Sequence, residues 1–146
     1  MKRLALAGLL GLAACRAPRA PETPATLPEF SMTAIGPSGE SPFGRKDLLG
    51  KPWVVDFVYT SCAGPCPLLT QRLGQLSAVL PPEVGLLTVT VDPEGDTPER
   101  LRAYAKAYGA DPRRWVFVRG TMKQTYELLY AGFRLPISVD PRAERG

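Results

Sequence analysis

The 146-residue chain contains no histidine and only three cysteines. Without histidine there is no Ser/His/Asp or Cys/His set for nucleophilic catalysis, and a closed zinc site of four Cys or His ligands cannot be assembled. The chain also lacks a Gly-rich phosphate loop, a paired-carboxylate arrangement of catalytic type and an internal repeat. It has no long run of one charge. Its 18 Lys and Arg stand against 14 Asp and Glu, a net +4, and they are scattered. That pattern reads as a solvated surface and argues against a nucleic-acid partner. Aromatic residues make up 8% of the chain. Trp53, Phe57, Trp115 and Phe117 fall in strand patterns and read as core, while Tyr104, Tyr108, Tyr126 and Tyr130 stand at helical spacing as packing residues. What is present, 45% apolar and 22% charged residues, suffices for one globular domain with its own core.

The N-terminus reads as a targeting segment. Lys2-Arg3 is a positive n-region, and Leu4 to Ala14 is an apolar h-region too short to span a bilayer. It ends in Leu12-Ala13-Ala14-Cys15, which resembles the lipobox of bacterial lipoproteins. That resemblance implies cleavage before Cys15, acylation of its thiol and a lipid anchor on the extracytoplasmic face of a bacterial membrane. The alternative is a plain secretory signal. Both place the domain where disulfides are permitted. Residues 16–28, with prolines at 18, 21, 24 and 28, read as a polyproline-like tether of up to roughly 40 Å at ~3.1 Å per residue. The expected organisation is therefore a lipoprotein signal segment over 1–15, a tether over 16–28 and one domain over 29–146.

Within that domain the elements alternate. A short strand over 30–35 precedes the turn Gly36-Pro37-Ser38-Gly39. Residues 54–59 are apolar and β-branched, which predicts a central strand covered on both faces. A helix from about Pro65 to Leu80 follows, with Leu69, Leu73, Leu76 and Leu80 as its inward stripe. A strand over 86–91 leads to a loop at Asp92, then to a helix capped by Thr97 with Pro98 at its first position. Trp115–Val118 is a third core strand. Thr121 and Gln124 form a capping box for a helix to about Tyr130, and 133–139 reads as extended or irregular. Strand–helix alternation argues for an α/β fold with a mostly parallel sheet and helices on its faces. Functional groups in such sheets gather at the C-terminal ends of strands. Cys62 and Cys66 sit at one such end, and Asp92 at the next.

The two thiols lie four residues apart at the mouth of a helix, where the partial positive charge favours thiolate. Three readings compete: a structural pair, thiol–disulfide exchange, and a metal site. In exchange Cys62 is the attacking thiolate and Cys66 the resolving thiol. As metal ligands, two soft thiolates select Cu(I). Spacing alone does not choose between the last two. For Asp92, a role beside the site stands against a turn-forming Asp before proline.

The run Phe57-Val58-Tyr59-Thr60-Ser61-Cys62-Ala63-Gly64-Pro65-Cys66-Pro67 resembles the Cys-x-x-x-Cys-Pro signature of the Sco/SenC family. Val91-Asp92-Pro93-Glu94-Gly95-Asp96-Thr97-Pro98 resembles that family's second segment, and Gly50-Lys51-Pro52-Trp53 also fits. The similarity runs from about residue 30 to 136. It implies a thioredoxin-like fold and a copper-binding chaperone that assists assembly of the binuclear copper centre of cytochrome c oxidase, with the copper-bearing oxidase subunit as partner. It also implies copper, Cu(I) or Cu(II), held by Cys62 and Cys66, an acidic residue beside the site at Asp92, and in some members a thiol–disulfide reductase activity. The family's third ligand is a distal histidine, which this chain does not contain. The resemblance places that histidine, a further strand and a closing helix after residue 146. The expectation is a truncated or frameshifted C-terminal part, with a short degenerate member or a non-histidine ligand as the alternatives.

Overall fold

The computed structural model describes residues 26–135. Cys15, most of the tether and the tail from residue 136 lie outside them. Among the described residues no helix is long and apolar enough to cross a membrane. The elements are β1 (Ser31–Gly36), β2 (Gly39–Gly44), β3 (Trp53–Val58), α1 (Pro65–Ser77), β4 (Gly85–Thr90), α2 (Pro98–Ala107), β5 (Trp115–Arg119) and α3 (Met122–Glu127). A 3-10 turn at Arg45–Leu48 precedes β3, and a π turn at Leu128–Gly132 extends α3.

The five strands form one mixed sheet in the order β2-β1-β5-β4-β3. β3, β4 and β5 run parallel, whereas β1 is antiparallel to both β5 and β2. Side-chain alternation sends Leu86 to one face and Leu87 and Val89 to the other. Leu86 joins Leu73 of α1 and Trp115 and Phe117 of β5, with Tyr104 and Ala105 of α2 packed against them. Leu87 and Val89 join Met32, Phe43, Val118 and Leu128, beneath the α3 end of the chain. Helices thus cover both faces of a thioredoxin-like α/β sheet.

Two expectations are corrected. β3 is not central: β4 is its one strand neighbour among the described residues, and five of its six residues are half-buried. β5 stands in the middle of the order, and β4, between it and β3, has all six residues buried. Apolar, β-branched composition reports covered faces rather than the number of hydrogen-bonded neighbours, and β3 does have covered faces. Phe57 meets Phe133 edge to face at 5.2 Å, and Val54 packs into the cluster under α1. The leucine stripe of α1 is also displaced. Its buried residues are Cys66, Thr70 and Leu73, while Leu69 and Leu76 are 58% and 40% exposed. The inward line therefore starts from the thiol and continues at i+4 and i+7. Gly74 stands beside α2, where an added Cβ would come within 3.3 Å of the Tyr108 carbonyl.

β2 has no counterpart in the sequence reading. Only Phe43 of its residues is buried, and Pro42 sits in it because an edge strand tolerates a missing N–H. The helix caps match expectation. Thr97 accepts from Arg100 N, and Thr121 and Gln124 bond reciprocally. Tyr126 and Tyr130, expected to pack, are exposed.

Candidate functional site

β3 ends at Val58, and the chain turns at once. The Cys62 N–H donates to the Tyr59 carbonyl at 3.1 Å, which folds residues 59–62 back over the strand end. Gly64 is the N-cap of α1 and has no side chain to give, and Pro65 occupies the first helical position. No acidic residue stands in the first turn. The N-terminus of α1 is left without a side-chain cap, so its partial positive charge and its N–H groups are available to another acceptor. Cys62 lies two residues before that N-cap.

Cys62 and Cys66 are both free thiols and both buried, at 7% and 8% exposure. They form one small cluster with Val58, against which Tyr104 packs. Their environments differ. The Cys66 side chain is the largest influence on Cys62. The backbone N–H groups of Cys66 and Gly64 and the Tyr59 hydroxyl add to this against the cost of burial, and together they lower the Cys62 thiol from 9.0 to about 7. Cys66 is pushed up, first by burial and then by its bond to the Cys62 sulfur. Near neutral pH Cys62 is in part thiolate while Cys66 stays a thiol, the asymmetry that disulfide exchange uses.

Two tyrosines frame the pair. The Tyr59 hydroxyl is engaged by Cys62, which raises its own pKa. The Tyr104 hydroxyl bonds Thr70 Oγ1 at 2.8 Å, and burial pushes it up to about 12. Both hydroxyls stay protonated at ordinary pH. In the sequence Tyr59 read as the end of an apolar strand and Tyr104 as packing. Tyr59's position three residues before Cys62 was the one signal available.

The structure brings the loop after β4 to the same end of the sheet. Within it Asp92 folds back on its own turn. Its Oδ1 accepts the Gly95 N–H at 3.0 Å, and a Cβ at Gly95 would run into its carboxylate. The acid that reaches across to the thiol loop is Asp96, which is 1% exposed. It accepts the Thr60 N–H at 3.0 Å, the Thr60 hydroxyl at 2.5 Å and the Thr90 hydroxyl. The sequence reading passed over Asp96, although it stands directly before the N-cap Thr97. A cleft of about 750 Å³ lies at the opposite end of the parallel strands, where the β1–β2 hairpin splays from the start of β5. It is lined by Ile35, Phe43, Arg102 and Trp115 and by no residue of the thiol loop. The cleft and the thiols thus lie at opposite ends of the sheet.

Among the described residues no cluster of three or more His, Cys, Asp or Glu side chains is placed to hold a metal. The donors at this end of the sheet are the two sulfurs. Fold and geometry together give a thioredoxin-like domain with two buried thiols at the start of a helix, Cys66 on its first turn and Cys62 in the loop before it. The sequence model of the SCO1/SenC family matches residues 19–146, and the chain belongs to that family. A SCO1 protein homolog of Bacillus subtilis is 32% identical over 85 residues, covering 56% of this chain and 44% of that protein. The chain thus spans under half the length of this curated relative. The crystal structure of a SCO1/SenC family lipoprotein from Bacillus anthracis superposes with a TM-score of 0.67 at 32% identity, covering 74% of this chain and 65% of that one. The structure of yeast Sco1 with copper bound gives a TM-score of 0.63 at 25% identity, covering 81% and 66%.

Proposed function

We propose that the chain is a copper-binding assembly factor that takes Cu(I) on the thiolates of Cys62 and Cys66 and delivers it to the copper-bearing subunit of cytochrome c oxidase. The observation that carries this reading is the donor set: two soft sulfurs in one buried cluster, the first with its pKa lowered to about 7. Thiolates are the ligands that soft Cu(I) selects. Binding of copper by yeast Sco1 supports it. Asp92 would act beside the site through the loop that it folds. Acylation at Cys15, with a tether over 16–28, would hold the domain on the extracytoplasmic face of a bacterial membrane, near a membrane-embedded oxidase. The lipoprotein relative from Bacillus anthracis supports that placement.

The experiment is anaerobic titration of the reduced protein with Cu(I) against a competing chelator. One copper per chain, lost in Cys62→Ser and in Cys66→Ser, supports the assignment. Failure of the wild-type protein to compete for Cu(I) removes it.

The asymmetry of the thiols favours a second reading, a thiol–disulfide reductase. The Cys62 thiolate attacks a partner disulfide and displaces one partner sulfur as thiolate. Cys66 gives up its proton, attacks the Cys62 sulfur and releases the second partner sulfur. The partner gains two electrons, and the chain becomes the Cys62–Cys66 disulfide. A chain that reduces a model disulfide but binds no copper would select this reading.

A further inference from the structure

The two loops at the site are joined through one side chain. We infer that Asp96 is the positioning residue of the thiol loop: through Thr60 it fixes the turn that presents Cys62. This rests on the reading of Cys62 as the working thiol and adds the means by which its place is set.

Asp96 is almost completely buried, at 1% exposure. A carboxylate so placed is costly unless its lone pairs are filled, and here they are filled from both loops. Thr60 supplies its backbone N–H, at 3.0 and 3.1 Å from the two oxygens, and its hydroxyl at 2.5 Å. Thr90, at the end of β4, supplies a second hydroxyl. Thr60 lies one residue after Tyr59, whose carbonyl accepts the Cys62 N–H and whose hydroxyl reaches the Cys62 sulfur. Holding the 60 N–H therefore holds the peptide that carries the Tyr59 carbonyl. The loop behind Asp96 is itself anchored. Arg119 of β5 donates to the Pro93 carbonyl at 2.8 Å, and Arg100 of α2 donates to the Gly95 carbonyl at 2.8 Å. Asp92 closes the turn onto Gly95, while its own N–H donates to Thr90 Oγ1 at 3.1 Å. The β4–α2 loop is a braced arm, and Asp96 is the group at its tip that grips the thiol loop.

The surroundings that lower the Cys62 thiol, first the Cys66 side chain and then the Cys66 and Gly64 backbone and Tyr59, must converge on one sulfur. Such convergence is lost when the 59–62 turn loosens. These surroundings serve the reduced pair, so loosening shifts the dithiol–disulfide balance toward the disulfide.

The test is the equilibrium constant of the full-length protein with a glutathione redox buffer, measured beside the melting temperature. Thr60→Val and Asp96→Asn are compared with Leu128→Val, which trims a residue 1% exposed in the cluster on the other face of the sheet. In Thr60→Val and Asp96→Asn the balance moves toward the disulfide by about fivefold, the worth of roughly one hydrogen bond. Leu128→Val lowers the melting temperature and leaves the balance unchanged. Asp96→Glu, with its longer stem, does not restore the balance, whereas Thr60→Ser, which keeps hydroxyl and N–H, does. If Thr60→Val and Asp96→Asn lower the melting temperature in step with Leu128→Val while the glutathione equilibrium stays at the wild-type value, Asp96 is a structural residue only and the inference fails. Cu(I) titration of the wild type separates the two levels: a protein that binds no copper but shows the glutathione shifts loses the copper assignment and keeps Asp96 as positioning residue.

Discussion

The β3–α1 and β4–α2 loops are built on the same plan, a parallel strand that ends, turns and enters a helix with proline at its first position. They use their side chains in opposite ways. The second loop satisfies its polar groups through side chains. Thr97 caps α2, Asp92 takes the Gly95 N–H and Asp96 is filled by Thr60 and Thr90. The first loop caps nothing, since Gly64 has no side chain to offer, and the donors at the start of α1 turn to the Cys62 sulfur instead. One arrangement gives rigidity and the other reactivity. A helix N-terminus becomes a thiolate site where its own sequence declines to cap it.

The strands beneath the loops extend the contrast and give the largest effect. β4 contributes Thr88, whose hydroxyl takes the Trp115 indole N–H and donates to Asp56 of β3 at 2.5 Å. The second oxygen of Asp56 is buried without a partner, and burial raises this carboxyl from 3.8 to about 6, opposed by the Thr88 bond. The folded value lies above the unfolded one. The stability that this group contributes is therefore fully present below pH 3.8 and is lost as pH rises through about 6. Two units correspond to about 3 kcal/mol. Urea unfolding of wild type and Asp56→Asn should show the stability difference moving against the wild type by about that amount between pH 4 and pH 7. A constant difference would mean that Asp56 does not titrate between the two states.

A smaller effect tests the second loop directly. Thr97→Ala removes the α2 cap and is expected to cost about 1 kcal/mol in denaturant unfolding. It should leave the reaction of Cys62 with a small disulfide at its wild-type rate, because the Thr97 hydroxyl serves Arg100 N. If the rate changes as much as the stability, the two loops are not separable and the contrast falls.

Much of this architecture was legible in the chain, and the exceptions have physical reasons. Caps and prolines located α2 and α3, because side-chain capping is a local chemistry written in adjacent residues. The order of strands was not written locally. The composition of β3 is that of a strand with both faces covered, and it gave no sign that β4 would be its one neighbour among the described residues. The face of α1 was misread because leucines were weighed above cysteine, although Cys66 is 8% exposed and Leu69 is 58%. β2 escaped because a strand with one buried residue has no alternating pattern to detect. The placement of Cys62, Cys66 and the loop at Asp92 at one end of the sheet followed from spacing and strand ends. Asp96 did not, because its role depends on Thr60, 36 residues away, and that pairing exists only after folding.

The claim at the centre of this account is that the uncapped start of α1 makes Cys62 and Cys66 chemically unequal. Iodoacetamide alkylation of the reduced protein, resolved by peptide mass spectrometry across pH 5 to 10, reads that inequality directly. The account predicts that Cys62 is modified first, with a rate that rises through a midpoint at about pH 7, while Cys66 reacts later and at higher pH. Two thiols that titrate together near the ordinary value of 9.0 would contradict it.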